Sequence, residues 1–413
     1  MAQVFSCWMK EKLRIAVWYN LPTGGARRAL HDHVAGLVAR GHHVECFRPP
    51  VQHPEWLAMP AVEHEIPQRI YGDETSYLKR VFKHLMRPTI AMKAMQDHSQ
   101  EVARRIEQGG FDILFANTCC QYHSPFVGRY VKIPAVLYLQ EPNRFLYEAL
   151  PRLAWLGAPE DASWRRKLRA QFDMIALRNQ ARAELANAKT YGKILVNSYF
   201  SHESVARVYG LESEVCYLGI DTDRYAPADA PRENFVLGIG AIATPKRVEL
   251  VIEAVGCLPE PRPKLIWAAN HIDEPYLASL QALAANKGVE FDCRKLVPDA
   301  ELLELMRRAG CVAYTPRLEP FGYVPLEAAA CGTPVVTVKE GGLRESMVDG
   351  LGWLADPTPA AIANQISEIL KDPNKASQVV LSKREELVDK WNLSAGIDRL
   401  EGHLLATVNS TQD

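Results

Sequence analysis

The chain has 413 residues, a length that favours two domains over a single hydrophobic core. Hydrophobic residues make up 47% and charged residues 23%, as in ordinary globular proteins, and the net charge of −1 excludes the basic signature of a nucleic-acid-binding protein. No apolar run approaches the ~20 residues of a membrane span, and the first eleven residues lack the apolar core of a signal peptide. Nine scattered cysteines without metal-type spacing indicate reduced thiols and a cytoplasmic location.

The first half of the chain alternates strands and helices. An apolar strand, Leu13–Tyr19, leads into the glycine turn Gly24-Gly25, a helix at about 26–40 and the strand His43–Phe47, which is a βαβ unit. Residues 51–77 are irregular in pattern, whereas 78–108 and 144–189 are predicted to be helical. Three further strands are predicted at Asp112–Ala116, Ala135–Leu139 and Lys193–Val196.

A second strand-first series follows. It is predicted to begin at Val215–Tyr217, and its later strands are Phe235–Ile239, Lys264–Ala268, Val289–Phe291, Cys311–Tyr314 and Val335–Thr337. Two such series predict an α/β protein with two Rossmann-like domains, at 12–213 and 214–387, followed by a helical tail at 388–413.

The stretch from Pro316 to Val336 is the most informative part of the sequence. Glu319 follows a strand, Pro325 suits a first helical turn, and Gly332 suits a helix end. Because open α/β sheets bind ligands at the carboxyl ends of their strands, this loop offers a carboxylate and helix-start N–H groups for a phosphate. Glu327 lies on an apolar helix, where a carboxylate needs a hydrogen-bonding partner.

These residues resemble the paired-glutamate signature of retaining GT-B glycosyltransferases of the large family 4. Three other segments resemble motifs of the same family, in the same order: Asn197–Ser201, Leu218–Asp221 with Tyr225, and Gly341–Gly350. The resemblance implies the GT-B fold, two Rossmann-like domains facing across a cleft, with the tail crossing back to the first domain. It further implies metal-independent, retaining transfer of a sugar from a nucleotide-diphosphate sugar to an acceptor hydroxyl, without a cofactor.

The resemblance also implies roles for particular residues. Glu327 would bind the ribose hydroxyls of the donor, and Glu319 would contact the donor sugar. Lys246 would stabilise the departing diphosphate, with Glu319 and Lys246 as the catalytic pair. Further donor contacts would come from Gly24, Gly25, Phe321, Gly322, Tyr323 and Val324. In isolation, Gly24-Gly25 is equally well explained as a simple tight turn.

Two positions depart from the family pattern. Where the family has an arginine after the glycine, this chain has Ala241, so that Arg247 either supplies the missing cation or is a solvated helix-start residue. Where the family often has a histidine, this chain has Gln140, which can bond a sugar hydroxyl but cannot carry a proton. Glu141 and His123 are further candidates for acceptor or sugar contacts.

A basic stretch interleaved with apolar residues runs from Leu78 to Lys93 in the predicted acceptor-side domain. It predicts either peripheral contact with an anionic membrane or the solvated face of a packed helix.

Three alternatives to the transferase interpretation exist. A degenerate family member would bind a nucleotide sugar without turnover, in line with Ala241 and Gln140. A glycoside hydrolase would use Glu319 and Glu327 as its carboxylate pair. A dinucleotide-binding protein would use the run Gly238–Ala243, which resembles an NAD-binding fingerprint. The next strand, however, does not end in the acidic residue that such sites use.

Overall fold

The computed structural model describes residues 11–410 apart from 52, 54, 69–76, 149–152, 154–155 and 349, and it describes only the backbone of residues 77–87. The chain forms two compact units. The first comprises residues up to Asn197 together with Ser201–Tyr217 and the chain from Ile397 onward. The second comprises Ser198–Phe200 and Leu218–Gly396.

The first unit is built on a parallel sheet, for which the described residues supply seven strands in the order β3-β2-β1-β4-β5-β6-β7. The strands are β1 (Arg14–Asn20), β2 (His43–Arg48), β3 (Val62–Glu65), β4 (Ile113–Cys119), β5 (Ala135–Gln140), β6 (Lys193–Val196) and β7 (Glu214–Val215). Every residue of β4 is buried, as expected for a central strand of a sheet covered on both faces.

Helices connect these strands. They are α1 (Gly25–Ala39), α2 (Tyr77–Gln108), α3 (Arg144–Tyr147), α4 (Trp164–Ala188) and α5 (Tyr199–Tyr209). The glycine turn before α1 and the helical character of 78–108 are confirmed by this arrangement.

The second unit repeats the plan with six parallel strands among the described residues, in the order β10-β9-β8-β11-β12-β13. The strands are β8 (Glu233–Ile239), β9 (Lys264–Ala269), β10 (Phe291–Lys295), β11 (Ala309–Tyr314), β12 (Val335–Val338) and β13 (Trp353–Ala355). All six residues of β11 are buried.

The helices of this part of the chain follow in order. They are α6 (Val248–Gly256), α7 (Glu274–Lys287), α8 (Asp299–Arg308), α9 (Tyr323–Ala330), α10 (Leu343–Ser346), α11 (Pro359–Lys371), α12 (Pro373–Ser382), α13 (Arg384–Trp391) and α14 (Leu393–Asn409). None of the described helices combines the length and apolarity needed to cross a bilayer.

Each sheet has a switch point, where the strand order reverses. In the first sheet this point lies between β1 and β4, and in the second it lies between β8 and β11. Because ligands of open α/β sheets bind beyond the carboxyl ends of the strands at such a point, the loops after β8 and β11 are the expected ligand-binding loops of the second unit.

Three strands differ from the sequence interpretation, and one of them, Trp353–Ala355 (β13), was not predicted at all. Residues 51–77 were predicted to be irregular, yet Val62–Glu65 pairs with β2 as an edge strand. Residues 215–217 were predicted to open the second series, yet Glu214–Val215 pairs with β6 at the edge of the first sheet. All three strands are short and lie at sheet edges, where a strand needs little apolar patterning.

The C-terminal tail divides between the units. The helix α13 and the start of α14 belong to the second unit, whereas α14 belongs to the first from Ile397. A side-chain carbon at Gly36 of α1 would lie 2.0 Å from Ile397 Cδ1, so Gly36 permits the close packing of α14 on α1. The carboxylate of Glu401 accepts from His42 Nε2 at 2.8 Å.

Candidate active site

The loops after β8 and β11 bring Lys246 and Glu319 into contact. The Lys246 ammonium donates to Glu319 Oε2 at 2.9 Å. The two loops are tied directly, since the backbone N–H of Arg317 donates to the carbonyl of Pro245 at 2.8 Å. Gly240 leaves β8 with φ +146°, which turns the chain toward the short 3₁₀ segment Thr244–Lys246. The structure therefore joins two residues that the sequence placed on separate loops.

The ion pair keeps Lys246 charged. Burial alone lowers the pKa of the Lys246 ammonium, but the Glu319 carboxylate outweighs it, and the net pKa is raised above the ordinary value. The ammonium also lies 5.7 Å from the centre of the Tyr314 ring. The Lys246 side chain is 28% exposed and that of Glu319 is 19% exposed. The carboxyl ends of the strands therefore carry a partly desolvated positive charge.

The N-terminus of α9 lies at the end of the same loop. Gly322 precedes the helix with φ +87°, and as a glycine it supplies no side-chain cap. A side-chain carbon at this position would lie 2.6 Å from Leu343 Cδ2, so only glycine fits both the backbone angle and the space. The first N–H groups of a helix have no partner within it, and together with the helix dipole they favour an anion. Lys246 and the start of α9 thus form two anion-attracting features on adjoining loops.

The other predicted donor-binding residues lie in α9 or directly before it. Glu327 lies in the helix and is only 4% exposed, so it is a buried carboxylate about one turn from the N-terminus. The Phe321 ring is also buried, and it packs edge-on against Tyr323 at 5.3 Å and Trp391 at 5.7 Å between ring centres. Any donor contact by Phe321 would therefore come from its backbone rather than its ring. Val324 follows in the first turn.

Arg247 is engaged by a carboxylate. Its guanidinium makes a two-pronged contact with Glu340, at 2.8 and 3.3 Å, and the backbone N–H of Leu318 donates to the same carboxylate at 3.3 Å. Arg247 has a left-handed φ of 50°, and its carbonyl accepts from Thr315 Oγ1 at 3.3 Å. These contacts make Arg247 a brace between the two loops, a role that differs from the solvated helix-start residue considered from the sequence.

Gly341 and Gly342 support the loop that carries Glu319. The N–H of Gly342 donates to the carbonyl of Glu319 at 2.8 Å. A side-chain carbon at Gly342 would lie 2.0 Å from the Pro320 carbonyl oxygen, and one at Gly341 would lie 2.3 Å from the Glu319 carbonyl oxygen. The sequence analysis identified Gly341–Gly350 as a segment that resembles a family motif, but the supporting role of its two leading glycines becomes visible only in the structure.

The geometry gives no support to the hydrolase alternative. Glu319 is held by a lysine, and Glu327 is enclosed within a helix, whereas glycosidase carboxylates flank the scissile bond from two sides. Among the described residues, no group of three His, Cys, Asp or Glu side chains is arranged to hold a metal ion.

In the first unit, the predicted residues lie at or just beyond the carboxyl ends of β1, β4 and β5. Gly24 precedes α1 with φ +143°, and a side-chain carbon there would meet nothing within 4 Å. The position therefore favours glycine because of its backbone angle and not because of limited space. Gln140 has a left-handed φ of 62°, in a tight turn where the N–H of Glu141 donates to the Leu139 carbonyl at 2.8 Å. Burial lowers the pKa of His123 to about 4, which keeps the imidazole neutral. Gln140 Nε2 and His123 Nδ1 are buried without a hydrogen-bond partner among the described residues.

A buried carboxylate on α4, Glu184, joins these loops. Its Oε1 accepts from the backbone N–H of His123 at 3.3 Å and from Asn143 Nδ2 at 3.4 Å, and its Oε2 accepts from the Tyr209 hydroxyl at 3.2 Å. Gln180 Nε2 donates to it as well, at 2.9 Å. Burial raises the pKa of Glu184, and the hydrogen bonds offset part of that rise. Sequence reasoning missed this residue, because nothing distinguishes one glutamate within an Arg- and Ala-rich helix.

Comparison with known proteins finds relatives among the glycosyltransferases. Residues 220–386 match the family model described as "Glycosyl transferases group 1". A GDP-mannose-dependent alpha-(1-6)-phosphatidylinositol monomannoside mannosyltransferase of Mycolicibacterium smegmatis is 31% identical over 220 residues, covering 47% of this chain and 57% of that protein. A D-inositol 3-phosphate glycosyltransferase of Mycobacterium sp. (strain KMS) is 29% identical over 180 residues, covering 40% of this chain and 41% of that protein. The chain thus spans about half the length of these curated relatives.

Solved structures match nearly the whole chain. Anabaena Alr3699/HepE in complex with UDP superposes with a TM-score of 0.70 at 19% identity, covering 95% of this chain and 100% of that one. Sucrose-phosphate synthase from Thermosynechococcus elongatus gives a TM-score of 0.71 at 17% identity, covering 96% and 99%. The predicted fold is therefore confirmed: the chain has the GT-B fold, and its residues 220–386 match the group 1 glycosyl transferase model.

Proposed function

We propose that the protein is a retaining glycosyltransferase that moves a sugar from a nucleotide-diphosphate sugar to an acceptor hydroxyl without a metal ion. The observation that carries the proposal is the Lys246–Glu319 ion pair beside the N-terminus of α9, within the segment that matches the group 1 family. The enzyme belongs to the EC 2.4 class of transferases.

The chemistry assigns each group a task. As the bond from sugar to diphosphate breaks, negative charge grows on the diphosphate, and the Lys246 ammonium and the N–H groups at the start of α9 stabilise it. Glu319 holds Lys246 in its charged form and contacts the donor sugar. The acceptor hydroxyl attacks from the face that the leaving group vacates, and a phosphate oxygen takes its proton. No separate base is required, and the anomeric configuration is retained.

The names of the relatives favour particular chemical classes of donor and acceptor. The Mycolicibacterium smegmatis relative is named as GDP-mannose-dependent, whereas the Anabaena structures contain UDP or UDP-glucose. A nucleoside diphosphate sugar is common to both. The curated relatives are named for phosphatidylinositol monomannoside and inositol phosphate acceptors, which favours a hydroxyl on a polyol or sugar ring as the acceptor here.

A donor panel tests the proposal. Thermal unfolding is measured with UDP-, GDP-, ADP- and TDP-linked sugars in the presence of EDTA. A ligand at a hundredfold excess over its Kd adds about 2.7 kcal/mol to the free energy of unfolding, which is a clear shift of the melting temperature. We expect one nucleotide to stabilise the protein, and the variant Glu327→Ala to weaken the free nucleotide and its sugar conjugate alike. Stabilisation that requires a divalent cation would contradict the metal-independent part of the proposal.

Membrane contact through residues 78–93 and a cytoplasmic location both stay predictions. Contact with a membrane through 78–93 rests largely on residues 77–87, whose side chains lie outside the described residues. Within the described part, Lys93 pairs with Asp97 at 2.7 Å, as in a solvated helix face. A cytoplasmic location accords with the absence of disulfides among the described cysteines.

A further inference from the structure

The N-terminal half of α4 exposes a row of large apolar side chains. The exposed fractions are 69% for Trp164, 52% for Leu168, 42% for Phe172 and 57% for Ile175. Scattered exposed hydrophobic residues are normal, but four on one helix at spacings of four, four and three residues are a patterned surface. We name these four residues the apolar row of α4.

The row occupies one side of the helix. With 3.6 residues per turn, each residue advances by about 100°, and the four side chains fall within an arc of about 80°. Farther along α4 the residues are buried, as at Ala183, Glu184 and Asn187. The helix is therefore anchored by its C-terminal half and presents the apolar row on its N-terminal half.

Basic residues border the row on both sides. On the same helical projection, Lys167 and Arg178 lie along one edge, and Arg165 and Arg169 lie along the other. All four are exposed. From Trp164 to Arg182 the helix carries six Lys or Arg residues and one acid, Asp173, which lies on the side away from the row.

The arginines are placed to meet phosphate groups. The Arg165 guanidinium lies 5.4 Å from the centre of the Trp164 ring, which holds a cation beside the most exposed aromatic residue of the row. Arg165, Arg166 and Arg169 also line an open groove next to α4, where the Asp173 carboxylate lies 3.9 Å from Arg169 Nε, so that Arg165, Lys167 and Arg178 are the bordering cations on which the argument depends. Arginine binds phosphate oxygens in a two-pronged manner, and tryptophan favours the boundary between apolar and polar phases.

We propose that the apolar row of α4 and its flanking cations dock the protein on an anionic membrane surface. The row inserts among the lipid headgroups while the arginines and lysine contact lipid phosphates, which is the arrangement of an interfacial amphipathic helix. A second copy of the chain is the poorer occupant, because two such faces would bring their cations against one another. This surface differs from the stretch 78–93, and its role goes beyond sugar transfer.

Vesicle flotation tests the proposal. The full-length protein is mixed with vesicles of pure phosphatidylcholine, or of phosphatidylcholine with about a third phosphatidylglycerol, at low and high salt. We expect binding to the anionic vesicles at low salt and release at high salt, since the charge attraction is screened beyond a Debye length of about 10 Å at 0.1 M salt. The double variant Leu168→Gln/Ile175→Gln should lower the partition coefficient about tenfold or more.

Charge variants and matched controls complete the design. Arg165→Gln/Lys167→Gln should lower anionic binding by about fivefold for each charge removed. Leu296→Gln and Lys132→Gln, at sites 67% and 86% exposed on other surfaces, should leave binding unchanged. The substituted side chains on α4 are exposed and glutamine is a good helix former, so folding should be retained, and melting curves check this for all variants, controls included.

Several outcomes would overturn the proposal. They are no binding to anionic vesicles at low salt, equal binding to neutral vesicles, or equal losses in the control variants. A concentration-dependent dimer that Leu168→Gln/Ile175→Gln dissolves would assign the face to a second copy. Donor binding in the nucleotide panel does not depend on this surface, so its result is independent of the membrane result.

Discussion

Lys246 and Glu319 show how a half-buried lysine is kept positively charged so that it can stabilise a leaving group. Burial alone lowers the pKa of Lys246, and a neutral amine could not stabilise a departing diphosphate. The adjacent carboxylate reverses that effect. On this account, Glu319 contributes to the reaction partly through the protonation state of its neighbour.

The pH dependence of kcat tests this coupling. In the native protein Lys246 should stay charged across neutral and mildly alkaline pH. In Glu319→Gln, burial is no longer offset by a carboxylate, so the pKa of Lys246 should fall and activity should be lost at a lower pH on the alkaline side. Glu340→Gln, which leaves the Lys246–Glu319 pair intact, is the control and should keep the native alkaline limit. Identical profiles for Glu319→Gln and the native protein would show that the pair does not set the charge.

Gly342 gives a second prediction at the scale of one residue. An alanine methyl there would lie 2.0 Å from the Pro320 carbonyl oxygen, so the Glu319 loop must shift. Because displacement of catalytic groups by about 1 Å can cost 10²-fold in rate, Gly342→Ala should reduce kcat/KM by about that factor. Gly402→Ala is the matched control: its methyl meets nothing within 4 Å in α14, and it should leave activity unchanged. Equal activity of both variants would show that the loop position is not critical.

At the scale of elements, the site segments were predictable because their patterns are strong. The apolar run of β11 predicted a strand, and Pro325 and Gly332 predicted the start and the end of the helix α9. The resemblance then indicated that the loop between them belongs to the site. The edge strand β3 has the sequence Val-Glu-His-Glu, which buries little and carries no apolar signal. The contact between Arg247 and Glu340, 93 positions apart, depends on a left-handed backbone angle that no local pattern encodes.

Glu184 links elements of the first unit, and its removal should weaken them. Glu184→Ala leaves four hydrogen-bond donors without their acceptor, which should lower the free energy of unfolding by about 1–3 kcal/mol. Glu184→Gln keeps a carbonyl oxygen and should cost less. The measurement is urea denaturation, with Glu101→Ala on the exposed face of α2 as the control. A loss in Glu184→Ala no larger than in the control would contradict the linking role.

At the scale of the whole molecule, two sheets repeat one design. In each, helices cover a parallel sheet whose strand order reverses once, and the predicted site residues follow the strands at that point. The chain length and the two successive series of alternating strands and helices predicted this plan, because each series forms its own parallel sheet with helices on both faces. The unit boundaries were harder to predict, because the chain crosses between units more than once.

Three buried histidines predict a decline of stability in acid. Burial lowers the pKa values of His33, His98 and His123 to about 4 from the ordinary 6.5. The unfolded chain therefore takes up protons that the folded chain does not, and stability present above pH 6.5 is lost as the pH falls toward 4. Each histidine contributes up to about 1.4 kcal/mol per pH unit within that window.

His33→Leu separates this effect from other acid-sensitive groups. Both ring nitrogens of His33 lack a partner among the described residues, so the leucine variant should be at least as stable at pH 7 and should show a shallower decline below pH 6.5. The melting temperature as a function of pH is the measurement, and His53→Gln at an exposed site is the control. A decline as steep as that of the native protein would contradict the assignment.

The stereochemistry of donor turnover tests the central claim most directly. Water can serve as a slow acceptor, so an α-linked nucleotide sugar selected by the donor panel is incubated with the protein and EDTA, and the anomeric proton of the first sugar released is followed by NMR. The account predicts that the α-anomer appears first, that EDTA has no effect, and that Lys246→Ala lowers the rate by about 10²-fold or more. First release of the β-anomer would contradict retention, and nucleotide-sugar binding without any turnover, with water or with candidate acceptors, would indicate a binding protein instead.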